Sequence, residues 1–342
     1  MDNDPKLLHG PQNREPSKEG SSGGPAPSSG AEAPKTSPEG VAVLTAPKPL
    51  RAFVAGGHGM LGSDVVIEMQ RRGWTVTAPN IKEFDVTRKD HLESLRRRDF
   101  GNLDWVVNCA AYTDVDKAEE QFFEAHQVNG VAPGALAFIC EKSEWRFLHV
   151  STDFVFDGLS TTPYTEKHVT DPQSKYGVTK LMGERNAQEF HPRTVIARTA
   201  WLYGPNGRSF PRTIIKAWLE GKELKVVGDQ AGSPTYTADL ARVIADLVAL
   251  GPEGGIYHAA GPDAMTWHDL ACLAIETYRD AVLGESRGIG VEAISTSAWP
   301  TAAKRPAYSV LNTEKLAGLG IAPMRSTPAA LLDFCMRLPK AL

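Results

Sequence analysis

The chain has 342 residues, 42% hydrophobic and 23% charged, which is the composition of an ordinary globular enzyme. Its 37 basic and 41 acidic side chains leave a net charge of −4, which argues against a generic nucleic-acid or membrane-surface binder. A locally positive pocket for a small anion is still allowed. Four cysteines (Cys109, Cys140, Cys272 and Cys335) form no C-x-x-C pair, and the nine histidines show no H-x-x-x-H or H-x-H spacing. Neither a disulfide framework nor a metal site is therefore expected. Free thiols suit a reducing compartment, and no run of about 18 apolar residues could span a membrane, so the expected setting is the cytoplasm.

Residues 1–49 hold nine Pro, six Gly and six Ser, with no Phe, Trp or Tyr. Such a segment buries too little apolar surface to offset its ordering entropy, so a disordered tail is expected. Early acids and the lack of an apolar core exclude a signal peptide.

From Leu50 the pattern changes. Arg51 to Ala55 reads as a strand that runs into Gly56-Gly57-His58-Gly59-Met60-Leu61-Gly62 and a helix from Met60 to Arg72. A strand-to-helix turn without Cβ atoms lets a pyrophosphate approach the backbone and the helix N-terminus. Gly56, Gly59, Met60, Leu61 and Gly62 are the candidate dinucleotide cradle; a tight turn with no ligand is the alternative. The next strand, Trp74 to Ala78, leads to Pro79-Asn80, where an NAD-specific site would place an acid. Asn80 is neutral and Lys82 lies close, so the pattern admits NADPH or NADH. Asp85, followed by Val86, could meet the adenine, or could simply be a turn acid.

Trp105 to Ala110 reads as a strand, Asn129 to Glu141 as a helix, Phe147 to Ser151 as a strand, Ser174 to Phe190 as a helix, and Thr194 to Arg198 as another strand. This alternation predicts an α/β fold, a Rossmann-type doubly wound parallel sheet. Tyr176 and Lys180 stand four apart on one helix face, and Thr152 follows the strand Phe147–Ser151, at the end where parallel sheets bind ligands. Reducing a carbonyl requires a hydride on carbon and a proton on oxygen. A phenol with its ordinary pKa near 10 needs a neighbouring cation, here Lys180, to favour phenolate, with Thr152 to hold the substrate oxygen. A surface Tyr/Lys pair on a helix is the competing explanation.

After Thr199, Gly and Pro punctuate the chain. Thr237 to Leu250 and Trp267 to Val282 read as helices, and Gly255 to Ala259 as a core strand. The expected organisation is an NAD(P)-binding domain over 50–198 and a smaller C-terminal substrate-binding lobe over 199–342, with core strands returning at about 225–260. Lys304 and Arg305 could meet a diphosphate, or form a solvated turn.

The motifs GGHGMLG (56–62), NCAAYTDVDKAE (108–119), VSTDFVFDG (150–158), YGVTKLMGE (176–184), RTAWLYGPNG (198–207), GDQAGSPTYTADLA (228–241) and PTAAKRPAYSVLNTEKL (300–316) together resemble the dTDP-4-dehydrorhamnose reductases, of the extended short-chain dehydrogenase superfamily. The resemblance runs from about Arg51 to Cys335. It implies that Tyr176 is the proton donor, Lys180 its ribose-binding partner and Thr152 the tuning hydroxyl. It places Ala111, Tyr112, Thr113 and Val150 along the nicotinamide nucleotide, and Asp153 and Trp201 at the sugar ring; filling the boundary of the second lobe is the competing role for Trp201. Asn129 would brace the catalytic helix. The implied reaction is NADPH- or NADH-dependent reduction of the C4 ketone of dTDP-4-dehydro-L-rhamnose, a dTDP-linked 4-keto-6-deoxysugar, with a homodimer left open. Phe154 stands where the family commonly has Tyr, which touches fine substrate preference. An epimerase or other nucleotide-sugar ketoreductase, or a non-catalytic regulatory subunit, are the alternatives; a dehydratase would want an acid pair that Thr152-Asp153-Phe154 lacks.

Overall fold

In this computed structural model, residues 49–339 are described, so the expected tail, apart from Pro49, lies outside the described residues. Five strands, β1 (Arg51–Ala55), β2 (Thr75–Thr77), β3 (Trp105–Asn108), β4 (Arg146–Thr152) and β5 (Val195–Thr199), join Gly255–His258 in one sheet. The order is β2-β1-β3-β4-β5-(255–258), and every pairing is parallel. The strands are apolar because both faces are covered. On β1, Ala52 and Val54 turn to one side and Phe53 and Ala55 to the other, following the two-residue pleat. The first side packs on α1 (Met60–Arg71) and the helix Thr237–Leu250. The second packs on α2 (Lys89–Arg96), α4 (Ala132–Ser143) and α5 (Lys175–Phe190).

Strand order reverses between β1 and β3, so their carboxyl ends frame a crevice, the place where such sheets bind ligands. The helix expected from Asn129 begins earlier, at Phe122. After the short α3 (Phe122–His126) comes one π turn, Gln127–Val131, and only then α4, with Pro133 in its first turn.

Beyond β5 a second core gathers Tyr203 from the short strand Leu202–Tyr203 and Trp218, Ile275, Tyr278 and Phe334 from the helices Phe210–Leu219, Trp267–Tyr278 and Thr327–Met336. The expectation of several returning core strands needs correction: among the described residues of 225–260, Gly255–His258 is the one that enters the main sheet. Leu224–Val227 instead pairs with Val291–Ile294 in a two-stranded sheet. Its pattern explains why. Leu224 and Val226 are buried while Lys225 is exposed, which suits a strand covered on one face only. Among the described residues, no helix is long and apolar enough to cross a membrane.

Candidate active site

The glycine turn sits at the carboxyl end of β1. Gly56 has φ +74°, and a Cβ there would lie 2.7 Å from the Ala110 nitrogen at the end of β3. A Cβ on Gly62 would lie 2.1 Å from the Gly56 oxygen. Glycine is therefore required at both by close approach of backbone to backbone. Gly59 caps α1 with no side chain to offer its amides, and no acid stands in the first turn. The N-terminal turn, with Met60 and Leu61 in it, is thus free to receive an anion. The Leu61 side chain is in the core, so its contribution there is its amide.

At the end of β2, Asn80 builds a turn, its Oδ1 accepting from the Lys82 and Glu83 amides at 2.9 and 3.3 Å. Glu83 turns back so that Oε2 accepts from the Asn80 amide at 2.9 Å. An acid thus does stand beside Asn80, reached through a turn rather than by position on the strand. His58 Nε2 lies 3.0 Å from the Ala78 carbonyl at the same strand end. Asp85 Oδ1 accepts from both the amide and the hydroxyl of Thr87, which is the turn role considered for it. Val86 is 4% exposed and packs with Phe53 and Phe84, leaving only its backbone for an adenine.

One crevice wall is the end of β4 against α5. Ser174 caps α5 by accepting from the Gly177 amide, which sets the register of Tyr176 and Lys180. Thr152 Oγ1 donates to Asp153 Oδ1 at 2.9 Å and stands beside the Tyr176 phenol. Phe154 meets the Tyr176 ring edge-on, 5.5 Å between centroids. Burial pushes the phenol up to about 12; the neighbouring Thr152 hydroxyl opposes this and the Asp153 charge adds to it. The direction is opposite to the lowering expected from Lys180, because burial dominates. Lys180 is buried, donates from Nζ to the Val150 carbonyl at 2.6 Å, and is pulled down to about 8 by burial, with Glu184 opposing. Burial also raises the Asp153 carboxyl to about 6, opposed by the neighbouring hydroxyls of Ser309 and Thr152.

Asn129 ties this wall to the loop after β3. Its Oδ1 accepts from the Tyr112 amide at 2.9 Å, and its Nδ2 reaches the Tyr112 carbonyl at 3.0 Å and Thr179 Oγ1 at 3.2 Å. Ala111, Tyr112 and Thr113 are thereby held beside α5, and the Tyr112 hydroxyl donates to Gln121. Trp201, at φ 46°, stacks on Trp267 with centroids 3.5 Å apart and planes 5° apart. One indole face is therefore covered, and a sugar would meet what is left of the ring. Lys304 Nζ donates to Gln173, and Arg305 pairs with Asp116 at 2.7 Å, so both bind protein groups.

Sequence reasoning passed over Asn108, His149, Glu184 and Arg198, all buried. Glu184 was within reach, since it continues the Tyr176–Lys180 stripe by one more turn. His149 and Asn108 carried no such signal, because a strand register places them side by side.

The family model of the RmlD substrate binding domain matches residues 50–338. The chain is 39% identical over 292 residues to the dTDP-4-dehydrorhamnose reductase of Streptomyces griseus, covering 84% of this chain and 93% of that protein. It is 36% identical over 282 residues to the dTDP-4-keto-6-deoxy-D-glucose reductase of Streptomyces niveus, covering 82% and 95%. Among solved structures, the dTDP-4-dehydrorhamnose reductase of Bacillus anthracis in complex with NADP superposes with a TM-score of 0.78 at 29% identity, covering 85% of this chain and 100% of that one.

Proposed function

Because the chain belongs to the RmlD substrate binding domain family, we propose that it is an NADPH- or NADH-dependent oxidoreductase reducing the C4 ketone of dTDP-4-dehydro-L-rhamnose to dTDP-L-rhamnose. The observation that carries this is the meeting, across one crevice, of an uncapped helix N-terminus on a glycine turn and the Thr152–Tyr176–Lys180 group. The close-packed Gly56 and Gly62 backbone fits a dinucleotide pyrophosphate, and the bound nicotinamide supplies the hydride.

The chain's own residues do the rest. Gly56, Gly59, Gly62 and the Met60 and Leu61 amides hold the phosphates; Asn80, Asp85 and Val86 border the adenosine end; Ala111, Tyr112, Thr113 and Val150 line the nicotinamide end. Tyr176 protonates the ketone oxygen. A phenol held near 12 keeps its proton until a developing alkoxide, a stronger base, takes it. Thr152 holds the oxygen and the phenol in line, Lys180 holds the ribose, and Asp153 and Trp201 bound the sugar.

The test is cofactor oxidation with dTDP-linked 4-keto-6-deoxysugars, with product stereochemistry read by NMR. A second reading, reduction of a different dTDP-4-keto-sugar, is favoured by the Streptomyces niveus relative and by Phe154 at the site; the C4 configuration of the product separates the two. No turnover of any such sugar would leave the regulatory-subunit alternative. A cytoplasmic setting and a homodimer complete the proposal. The exposed rings of Phe138 and Phe190 on α4 and α5 offer an apolar face for the dimer, and sedimentation of the full chain checks it.

A further inference from the structure

Behind the Tyr176–Lys180 stripe, buried polar groups form a line. Asn108 on β3 and His149 on β4 are partners in register, both 0% exposed. The Asn108 carboxamide has one sensible orientation: its Oδ1 accepts from the Ala110 amide at 3.1 Å, so its Nδ2 faces His149 Nδ1, also at 3.1 Å. An NH2 group only donates, so Nδ1 must carry the lone pair. Burial, with the charge of Lys180, holds the imidazole neutral, well below its ordinary value. A neutral imidazole has one N–H, which then stands on Nε2. That atom lies 3.5 Å from Lys180 Nζ. An N–H directed at Nζ is met best by a lone pair, that of the neutral amine.

The other neighbours of Lys180 pull the opposite way. Glu184, one turn further along α5 and held by Arg198 and Ser151, favours the ammonium; Cys109, after β3, also stands beside Lys180. The Cys109 thiol is itself pushed up to about 12 by burial. Nζ also donates to the Val150 carbonyl on β4, a bond that amine and ammonium can both make. Tyr176, one turn back on α5, completes the surroundings.

We propose that Asn108 and His149 are positioning residues for Lys180: Asn108 fixes His149 as the Nε2–H tautomer, and that N–H accommodates the amine lone pair when Lys180 gives up a proton in each turnover. The inference rests on the reductase reading, in which Tyr176 is the proton donor. The carbonyl carbon takes a hydride with its electron pair, and the oxygen takes the phenol proton. A water relays a proton from the Lys180 ammonium to the phenolate, and the N–H electron pair stays on Nζ facing His149. Water returns a proton to Nζ. The low basicity of Lys180, about 8, agrees with this poise.

The first measurement uses the full chain labelled with ¹⁵N-histidine, without substrate, and assigns His149 through its contact to the Asn108 amide protons. Nitrogen shifts should place the proton on Nε2 throughout the neutral range. A proton on Nδ1, or an imidazolium, overturns the proposal. The second uses Asn108→Asp, which keeps the acceptor for Ala110 yet offers a carboxylate to Nδ1. The imidazole proton should move to Nδ1, leaving Nε2 to accept from the ammonium, and the alkaline limb of the kcat profile should rise by about one pH unit. A moved proton with an unmoved limb also overturns the proposal. If Asn108→Asp fails to fold, the tautomer in the unmodified chain still decides. Absence of turnover in the unmodified chain would refute the reductase reading instead, while the nitrogen shifts report on the tautomer independently.

Discussion

Arg198 closes on Glu184 through two hydrogen bonds, Nε to Oε1 at 2.8 Å and Nη2 to Oε2 at 2.7 Å, with both side chains 2% exposed. Ser151 Oγ donates to the same carboxylate at 2.5 Å, so β4, β5 and α5 converge on one acid directly behind Lys180. Glu184→Gln would leave a guanidinium buried without its counter-charge, a loss of about 3–5 kcal/mol. Replacing both partners by apolar side chains, Glu184→Leu with Arg198→Met, should cost less than the single change. Urea unfolding of both variants measures this; a single variant within error of the unmodified chain would contradict the finding.

Tyr176→Phe retains the ring that meets Phe154 edge-on and removes only the hydroxyl. Turnover should fall by about 10²- to 10⁴-fold with cofactor binding little changed. Steady-state rates and a fluorescence titration of cofactor separate the two effects, and full turnover in this variant would refute the proton-donor role.

Gly62→Ala places a methyl 2.1 Å from the Gly56 oxygen, a backbone atom that cannot swing aside. The turn must open, and the amides aimed at the pyrophosphate move with it. Cofactor should bind about tenfold more weakly, roughly 1.4 kcal/mol. Calorimetric titration gives the affinity directly; an unchanged value would remove the glycine turn from the binding site.

Asp153 makes stability depend on pH in an unusual direction. Burial holds its carboxyl at about 6 in the fold against an ordinary 3.8, so the folded state binds the proton more tightly than the unfolded state does. The cost of the charged form is absent below the ordinary value, grows as pH rises between the two, and is complete above the folded one. Asp153→Asn should therefore stabilise the chain at neutral pH by about 2–3 kcal/mol, with the gain vanishing toward acid. Urea midpoints across pH test the sign, and a gain of equal size at every pH would contradict it.

What could be read along the chain was what repeats along it. The glycine spacing, the four-residue step from Tyr176 to Lys180 and the apolar runs of β1, β3 and β4 are local patterns, and the structure carries each of them. The π turn that presents Asn129 to Tyr112 and Thr179 has no composition of its own, and the helix that runs through it from Phe122 was expected to start too late. Trp201 could be assigned to a sugar face or to the lobe boundary, and nothing near it in sequence announces Trp267, sixty-six positions later, against its face. Asn108 and His149 likewise meet only through strand register, 41 positions apart. Pairs that the sheet brings together from distant segments are legible only once the sheet is drawn.

The strand Gly255–His258 supplies the sheet's outermost rung beside β5, and the helix just before it covers α1. During synthesis, a nascent chain that has passed β5 therefore still carries an open strand edge and an uncovered first helix. The dinucleotide half cannot close until residue 258 has left the ribosome. A product stalled or truncated near residue 200 would present that bare edge to its neighbours and aggregate rather than persist as a miniature enzyme.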